Sequence, residues 1–261
     1  MSTPEYTYTT VNGVRFLTVE EWNFNGQLHR IDEPARREWS VVDGERVLTE
    51  EEWCLNGRPH RLDEPALREW DVINGVEVLT REAWNLNGRP HRIDGPSYRE
   101  WEVVDDRVVL ISEEWSLNGR FHHTDEPAYR VWEVVDGEPV LTTEGWYLNG
   151  VSHRIDRPSH REWEVVDGRA VLISEAWYLY GKRHRTDGPT WHQWEVVDGR
   201  SVLISEEWYL KGVKIHPRLL RQPVRAIERW WLFQQARRRQ AIESFLWDSG
   251  MIVFPGLMDL L

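Results

Sequence analysis

Trp146-Tyr147-Leu148-Asn149-Gly150-Val151-Ser152-His153-Arg154-Ile155-Asp156-Arg157-Pro158 leads into Arg161-Glu162-Trp163-Glu164-Val165-Val166-Asp167-Gly168-Arg169-Ala170-Val171-Leu172. Asn149-Gly150 and Asp167-Gly168 each sit between alternating residues. Such dipeptides mark two-residue hairpins, because a type I′ turn needs positive φ at both central positions. Working outward, the same unit recurs every 31 residues. Its first tryptophan stands at Trp22, Trp53, Trp84, Trp115, Trp146, Trp177 and Trp208. Its second stands at Trp39, Trp70, Trp101, Trp132, Trp163 and Trp194. Six full units follow one another without insertion, with a half unit before them and another after. A register this rigid means that each unit packs on its neighbour, since a linker-joined string would tolerate drift.

The reading is an all-β tandem repeat of 31-residue units, each of two antiparallel β-hairpins, forming an elongated array or solenoid, followed by a C-terminal α-helix. Residues 1–212 make the array and 213–222 a linker. Residues 223–248 make a basic amphipathic helix, with no Gly or Pro between Val224 and Trp247, and 249–261 an apolar tail. Strand spacing gives the array a length of roughly 60–120 Å. The Asn-Gly series decays to Tyr180-Gly181 and Lys211-Gly212, and Asp105-Asp106 replaces Asp-Gly in one unit. That last turn is expected to be strained or of another type.

Counting back from a two-residue turn gives cross-strand pairs. Leu55 opposes Arg58 and Cys54 opposes Pro59; Val41 opposes Arg46 and Trp39 opposes Leu48. The same count lays His29, His60, His91, His122, His153 and His184 on the first tryptophan of their units, with Glu21–Arg30 and Glu52–Arg61 ion pairs on the opposite face. These Trp and His columns are the expected structural ladder. The Asp-x-Pro step ends each strand, because proline cannot donate to a ladder.

The net charge of −12 is unevenly spread. Residues 214–261 carry eight Lys or Arg against four acids, so they are +4 and the rest of the chain −16. An acidic array repels phosphates, which leaves the basic helix as the one segment suited to nucleic acid. The single cysteine, Cys54, excludes an intrachain disulfide and fits a reducing compartment. The N-terminus reads as lacking a signal peptide, and no apolar run reaches the roughly 18–20 residues of a membrane span.

No nucleophile elbow, phosphate loop or singled-out Cys/His pair is present. Nearly every polar residue of note recurs in each unit, whereas an active site is a unique constellation. The expectation is a non-enzyme with no catalytic residue and no cofactor. The His-x-x-Asp spacing is explained by repetition, so no metal site is assigned either. A Trp-lined groove for carbohydrate or Pro-rich peptide competes with a tryptophan core, which the repeat needs for itself. Partner binding is assigned to the tail through Arg225, Arg229, Trp230, Trp231, Arg237, Arg238, Phe245 and Phe254.

At Trp146 to Gly150 and at His184-Arg185-Thr186-Asp187-Gly188-Pro189 the unit resembles the MORN-like repeats of nucleocytoplasmic large DNA viruses, especially the marseillevirus-type giant viruses. It is more distantly similar to the YwqK-type antitoxin repeats of bacteria. The resemblance covers residues 11–212. It implies a scaffolding protein, a minor capsid or cement component found in the virion and host cytoplasm. Its partners would be capsid or scaffold subunits, possible oligomers among them. The alternative is an intracellular adaptor or antitoxin-like inhibitor that uses the Trp-lined or acidic face.

Overall fold

The computed structural model describes residues 2–216. The expected helix over 223–248, the tail and all eight of its partner-binding residues lie outside the described residues. Within them the regular structure is entirely β. Fourteen strands run in sequence order through one antiparallel sheet, from Thr3–Val11 and Val14–Phe24 to Trp191–Val197 and Arg200–Glu207, and a fifteenth, Gln27–Leu28, pairs with the end of Val14–Phe24. At about 4.8 Å per strand this sheet is about 60 Å long.

Each unit gives the sheet one long hairpin, such as Arg36–Val42 with Glu45–Glu52, turning at Asp43-Gly44. It then makes a short hairpin of two-residue strands, such as Cys54–Leu55 with Arg58–Pro59. The turns are type I′ as expected: Asn149 and Gly150 have φ of 52° and 84°. Tyr180 and Lys211 hold the same left-handed conformation, at 49° and 50°. Asp105 and Asp106 keep the turn at φ 50° and 59°, so the strain falls on Asp106, where other units have glycine.

The pairs Trp39–Leu48, Val41–Arg46, Cys54–Pro59 and Leu55–Arg58 are present. Beyond Trp39 the ladder skips one residue, so that Glu38 pairs with Glu50 and Thr49 is bulged. The bulge recurs in every long hairpin, and in places a threonine fills it: Thr80 and Thr142 donate to the carbonyls of Glu69 and Val131. No glycine marks these bulges. Consecutive long hairpins join over only three residues, as in Glu50–Glu69, Glu51–Arg68 and Glu52–Leu67.

The repeat extends past both expected half units. Thr3–Val11 is a long-hairpin strand in which Tyr8 pairs with Leu17, as Trp39 does with Leu48. At the other end Tyr209–Leu210 pairs with Val213–Lys214, and Ile215 is buried on Leu210 and Trp208. The array therefore reaches Ile215, inside the stretch expected as linker.

Among the described residues the only column that is fully buried in every unit is a column of small residues, not of tryptophans. Ala35, Ala66, Ser97, Ala128, Ser159 and Thr190 follow the unit prolines and have no accessible surface. Each sits where the long and short hairpins meet: Trp115 N–H donates to the Ala128 carbonyl and Ala128 N–H to the Gly145 carbonyl, both at 2.7 Å. Where the residue is Ser or Thr, its hydroxyl also donates to a neighbouring carbonyl, as Thr190 does to Glu207 at 3.0 Å. A larger side chain has no room there.

Candidate functional site

The short hairpins stack on one another through three bonds per step. Gly57 N–H donates to the Leu28 carbonyl, Arg30 N–H to the Cys54 carbonyl, and Asn56 N–H to His29 Nδ1. The last of these recurs at 3.1 Å for His60, His91, His122, His153 and His184. The ladder histidines are thus acceptors for the next unit, which fixes each neutral ring with its proton on Nε2. Burial holds His153 and His184 below the ordinary histidine pKa, with Lys211 adding to the effect on His184. The seventh short hairpin is the last among the described residues, and there Ile215 replaces the histidine. Among the described residues the acceptor is present wherever a donor follows.

The expected opposition of histidine and tryptophan holds in the backbone, where His29 N–H donates to the Trp22 carbonyl at 2.7 Å and His60 N–H to the Trp53 carbonyl at 2.8 Å. The imidazole turns toward the next hairpin, and the following residue closes over the tryptophan ring. Arg30, Arg61, Arg92, Arg154 and Arg185 lie 3.5–4.2 Å from the rings of Trp22, Trp53, Trp84, Trp146 and Trp177. His123 takes that place on Trp115, edge-on at 4.6 Å. The same arginines donate to the proline carbonyl four residues on, as Arg154 does to Pro158 at 3.2 Å. Arg61 pairs with Glu64, not Glu52, and Glu21 pairs with Arg36, not Arg30. One face of each of these five tryptophans is taken by a guanidinium, which narrows any Trp-lined groove. Trp146 is buried and the other ladder tryptophans are partly so.

One face of the long sheet carries a row of alternating acidic and basic residues from Glu20 to Glu175, continued by His192 and Glu206, that the sequence reading missed. Directly paired positions run Glu20, Arg37, Glu51, Arg68, Glu82, Arg99, and on through Arg130, Arg161 and Glu175 to His192 and Glu206. Contacts include Arg130–Glu113 at 2.7 Å and Arg161–Glu144 at 3.2 Å. Burial raises the Glu82 and Glu144 carboxyls above their ordinary pKa, although Arg99 and Arg161 pull them down.

The opposite face is where the units differ. Near the N-terminal end it is ionic: Arg36 contacts Glu21 and Glu50 at 3.3 Å each, and also Glu38. Arg81 then bridges Glu69 and Glu100, and Tyr98 donates to Glu100, its own phenol pushed up to about 12 mainly by burial. From Phe121 onward the face becomes aromatic. Phe121, Tyr129 and Tyr147 lie 5.4–6.0 Å apart. His160 contacts Tyr129 through Nδ1 and Glu162 through Nε2, at 3.3 and 2.9 Å. Next to them opens a groove of about 950 Å³, with Tyr178 and Trp191 in its walls.

A third feature is a row of bare aliphatics on the loops after the short hairpins. Ile31, Leu62, Ile93 and Ile155 are 65–83 % exposed, with Thr124 and Thr186 continuing the column. Among the described residues no three His, Cys, Asp or Glu side chains converge to hold a metal ion, and no helix is long and apolar enough to cross a membrane. Cys54 is buried, and its thiol is pushed up by burial and by the Glu52 carboxylate. No family model matches the chain, and no curated protein matches it.

Proposed function

We propose that this is a non-enzymatic structural protein whose array serves as a rigid spacer, a minor capsid or cement component of a giant-virus particle, with the basic C-terminal segment as its anchor. The observation that carries the spacer part is the single sheet through which fourteen strands run in sequence order. Three bonds per step between the short hairpins run alongside it as a second seam. Two parallel seams resist bending better than one, which suits a part that sets a distance. The particle assignment rests on the likeness of the repeat unit to the viral repeats.

Quantitative mass spectrometry of purified particles against infected-cell lysate tests the proposal, together with a variant ending at His216, one residue past the buried Ile215. Hundreds of copies per particle, lost on truncation, support both spacer and anchor. Absence from particles overturns the particle role and leaves the second reading, an adaptor. The unit-to-unit variation of the aromatic face favours that reading, since a pure spacer has no use for it.

A further inference from the structure

Three consecutive units place a different residue at one point of the aromatic face: Phe121, Ser152 and Arg183. Phe121 fills its place with a ring between Tyr129 and Tyr147. Arg183 fills its place with a guanidinium among Tyr178, Trp191 and Tyr209, at 6.0, 5.8 and 5.2 Å from the ring centres. It donates to the Tyr178 hydroxyl at 3.1 Å and pairs with Glu207. Ser152 fills nothing. Its hydroxyl is engaged with Ser159 at 2.8 Å, and the groove of about 950 Å³ opens over it. The groove walls include Tyr147, His160 and Tyr178, the counterparts of the rings around Arg183, and Arg183 itself, whose charge is met by Glu207.

The nearby acids tell what would fill the gap. The Phe121 unit has Val131 and Gly145 at the two positions that can supply a carboxylate. The Arg183 unit has Gln193 and Glu207, and its guanidinium uses Glu207. The Ser152 unit has Ala176 in the place of Glu207 but Glu162 in the place of Gln193, so Glu162, which also contacts His160, lines the groove together with Glu164 and Glu195. In these units a carboxylate accompanies a guanidinium and its absence accompanies a phenyl ring.

We propose that the groove over Ser152 is a binding site for an arginine side chain carried on a peptide. The guanidinium would stack against Tyr147 and Tyr178 and pair with Glu162, as Arg183 does with its own surroundings one unit on. A planar fork that both stacks and pairs distinguishes arginine from lysine at such a site. The groove is larger than one side chain, which leaves room for flanking backbone. This assignment stands on the geometry and does not depend on the particle role.

The test is calorimetric titration of the full chain with N-acetyl-arginine amide, with the citrulline analogue as an uncharged isostere. The arginine probe should bind at least about tenfold more tightly than citrulline, the tenfold being a lower bound for a desolvated charge pair plus stacking. Ser152→Arg should abolish binding while the array stays folded, because its own side chain would occupy the groove. Glu162→Gln should weaken binding by about tenfold with the melting temperature unchanged, and it keeps the test decisive if Ser152→Arg misfolds. Equal binding of citrulline, or unaltered binding by both variants, overturns the proposal. A full chain with Gln at 225, 229, 237, 238 and 239 identifies the source of the arginine. Stronger probe binding there makes the chain's own C-terminal segment the occupant, and unchanged binding makes it an external peptide. No binding by either form overturns the site.

Discussion

Removing one inter-hairpin acceptor at the centre of the array tests whether the histidine column joins the units. His91 Nδ1 accepts the Asn118 N–H at 3.1 Å. A hydrogen bond of this kind contributes about 0.5–1.5 kcal/mol net. Asn118 lies at the surface, where water replaces a lost partner, so about 0.5–1 kcal/mol is the appropriate part of that range. For a chain of this size that is a fall of about 1–4 °C in melting temperature. His91→Leu removes the acceptor and should show this loss by thermal denaturation. His91→Asn places Oδ1 near the position of Nδ1 and should retain most of the stability. The junctions are about 10 Å apart, far enough for additivity, so leucine at all six should cost about 3–6 kcal/mol, against a total stability of about 5–15 kcal/mol. A His91→Leu protein that melts with the parent, or an Asn variant that loses as much as the Leu variant, refutes the reasoning.

Four further outcomes are expected. Asp106→Gly relieves a side chain at φ 59° and should raise stability by about 0.5 kcal/mol in urea denaturation, after the entropic cost of glycine. Ala128→Leu forces three extra carbons into a site with no accessible surface and should lower stability by about 1–3 kcal/mol or prevent folding, read from the urea midpoint. Arg130→Glu puts a third carboxylate between Glu113 and Glu144 and should destabilise by roughly 1–3 kcal/mol, with part of the loss recovered in high salt. His153 and His184 have folded pKa values below the unfolded value of about 6.5, so their contribution is complete above that pH and is lost as pH falls through the folded values. The raised carboxyls of Glu50, Glu82, Glu114 and Glu144 act in the opposite sense. His153→Asn with His184→Asn should therefore flatten the fall of melting temperature between about pH 6.5 and 5, and an unchanged slope would contradict the assignment.

The turns and the pairs beside them were legible because they are decided by neighbours: Asn149-Gly150 admits few conformations, and Trp39–Leu48 follows by counting from Asp43-Gly44. Counting placed the His29 backbone opposite Trp22 but not its ring: the imidazole serves the next hairpin, and Arg30 took the indole face instead. The Arg37–Glu51–Arg68 row needs the register between hairpins, which depends on a bulge at Thr49 that no glycine announces. The buried column was overlooked because Ala35, Ser97 and Thr190 look unrelated until their size is considered. The groove over Ser152 is a difference among units, whereas the repeat was read for what its units share. The segment expected to bind a partner lies outside the described residues.

Long hairpins are paired to one another over three residues near the short-hairpin edge, and beyond these no backbone ladder links one long hairpin to the next. Toward the other edge adjoining hairpins meet through bonds that each involve a side chain, as Arg107 does with Glu138 at 2.9 Å and Glu77 with the Leu48 N–H at 3.1 Å. The two margins of the ribbon therefore differ in stiffness. One is a spine of backbone bonds that hardly stretches, and the other is a row of leaves that can fan apart or close. A load across the ribbon would bend it toward the spine by spreading the leaves and meet more resistance in the opposite direction, like a folding ruler hinged on one side.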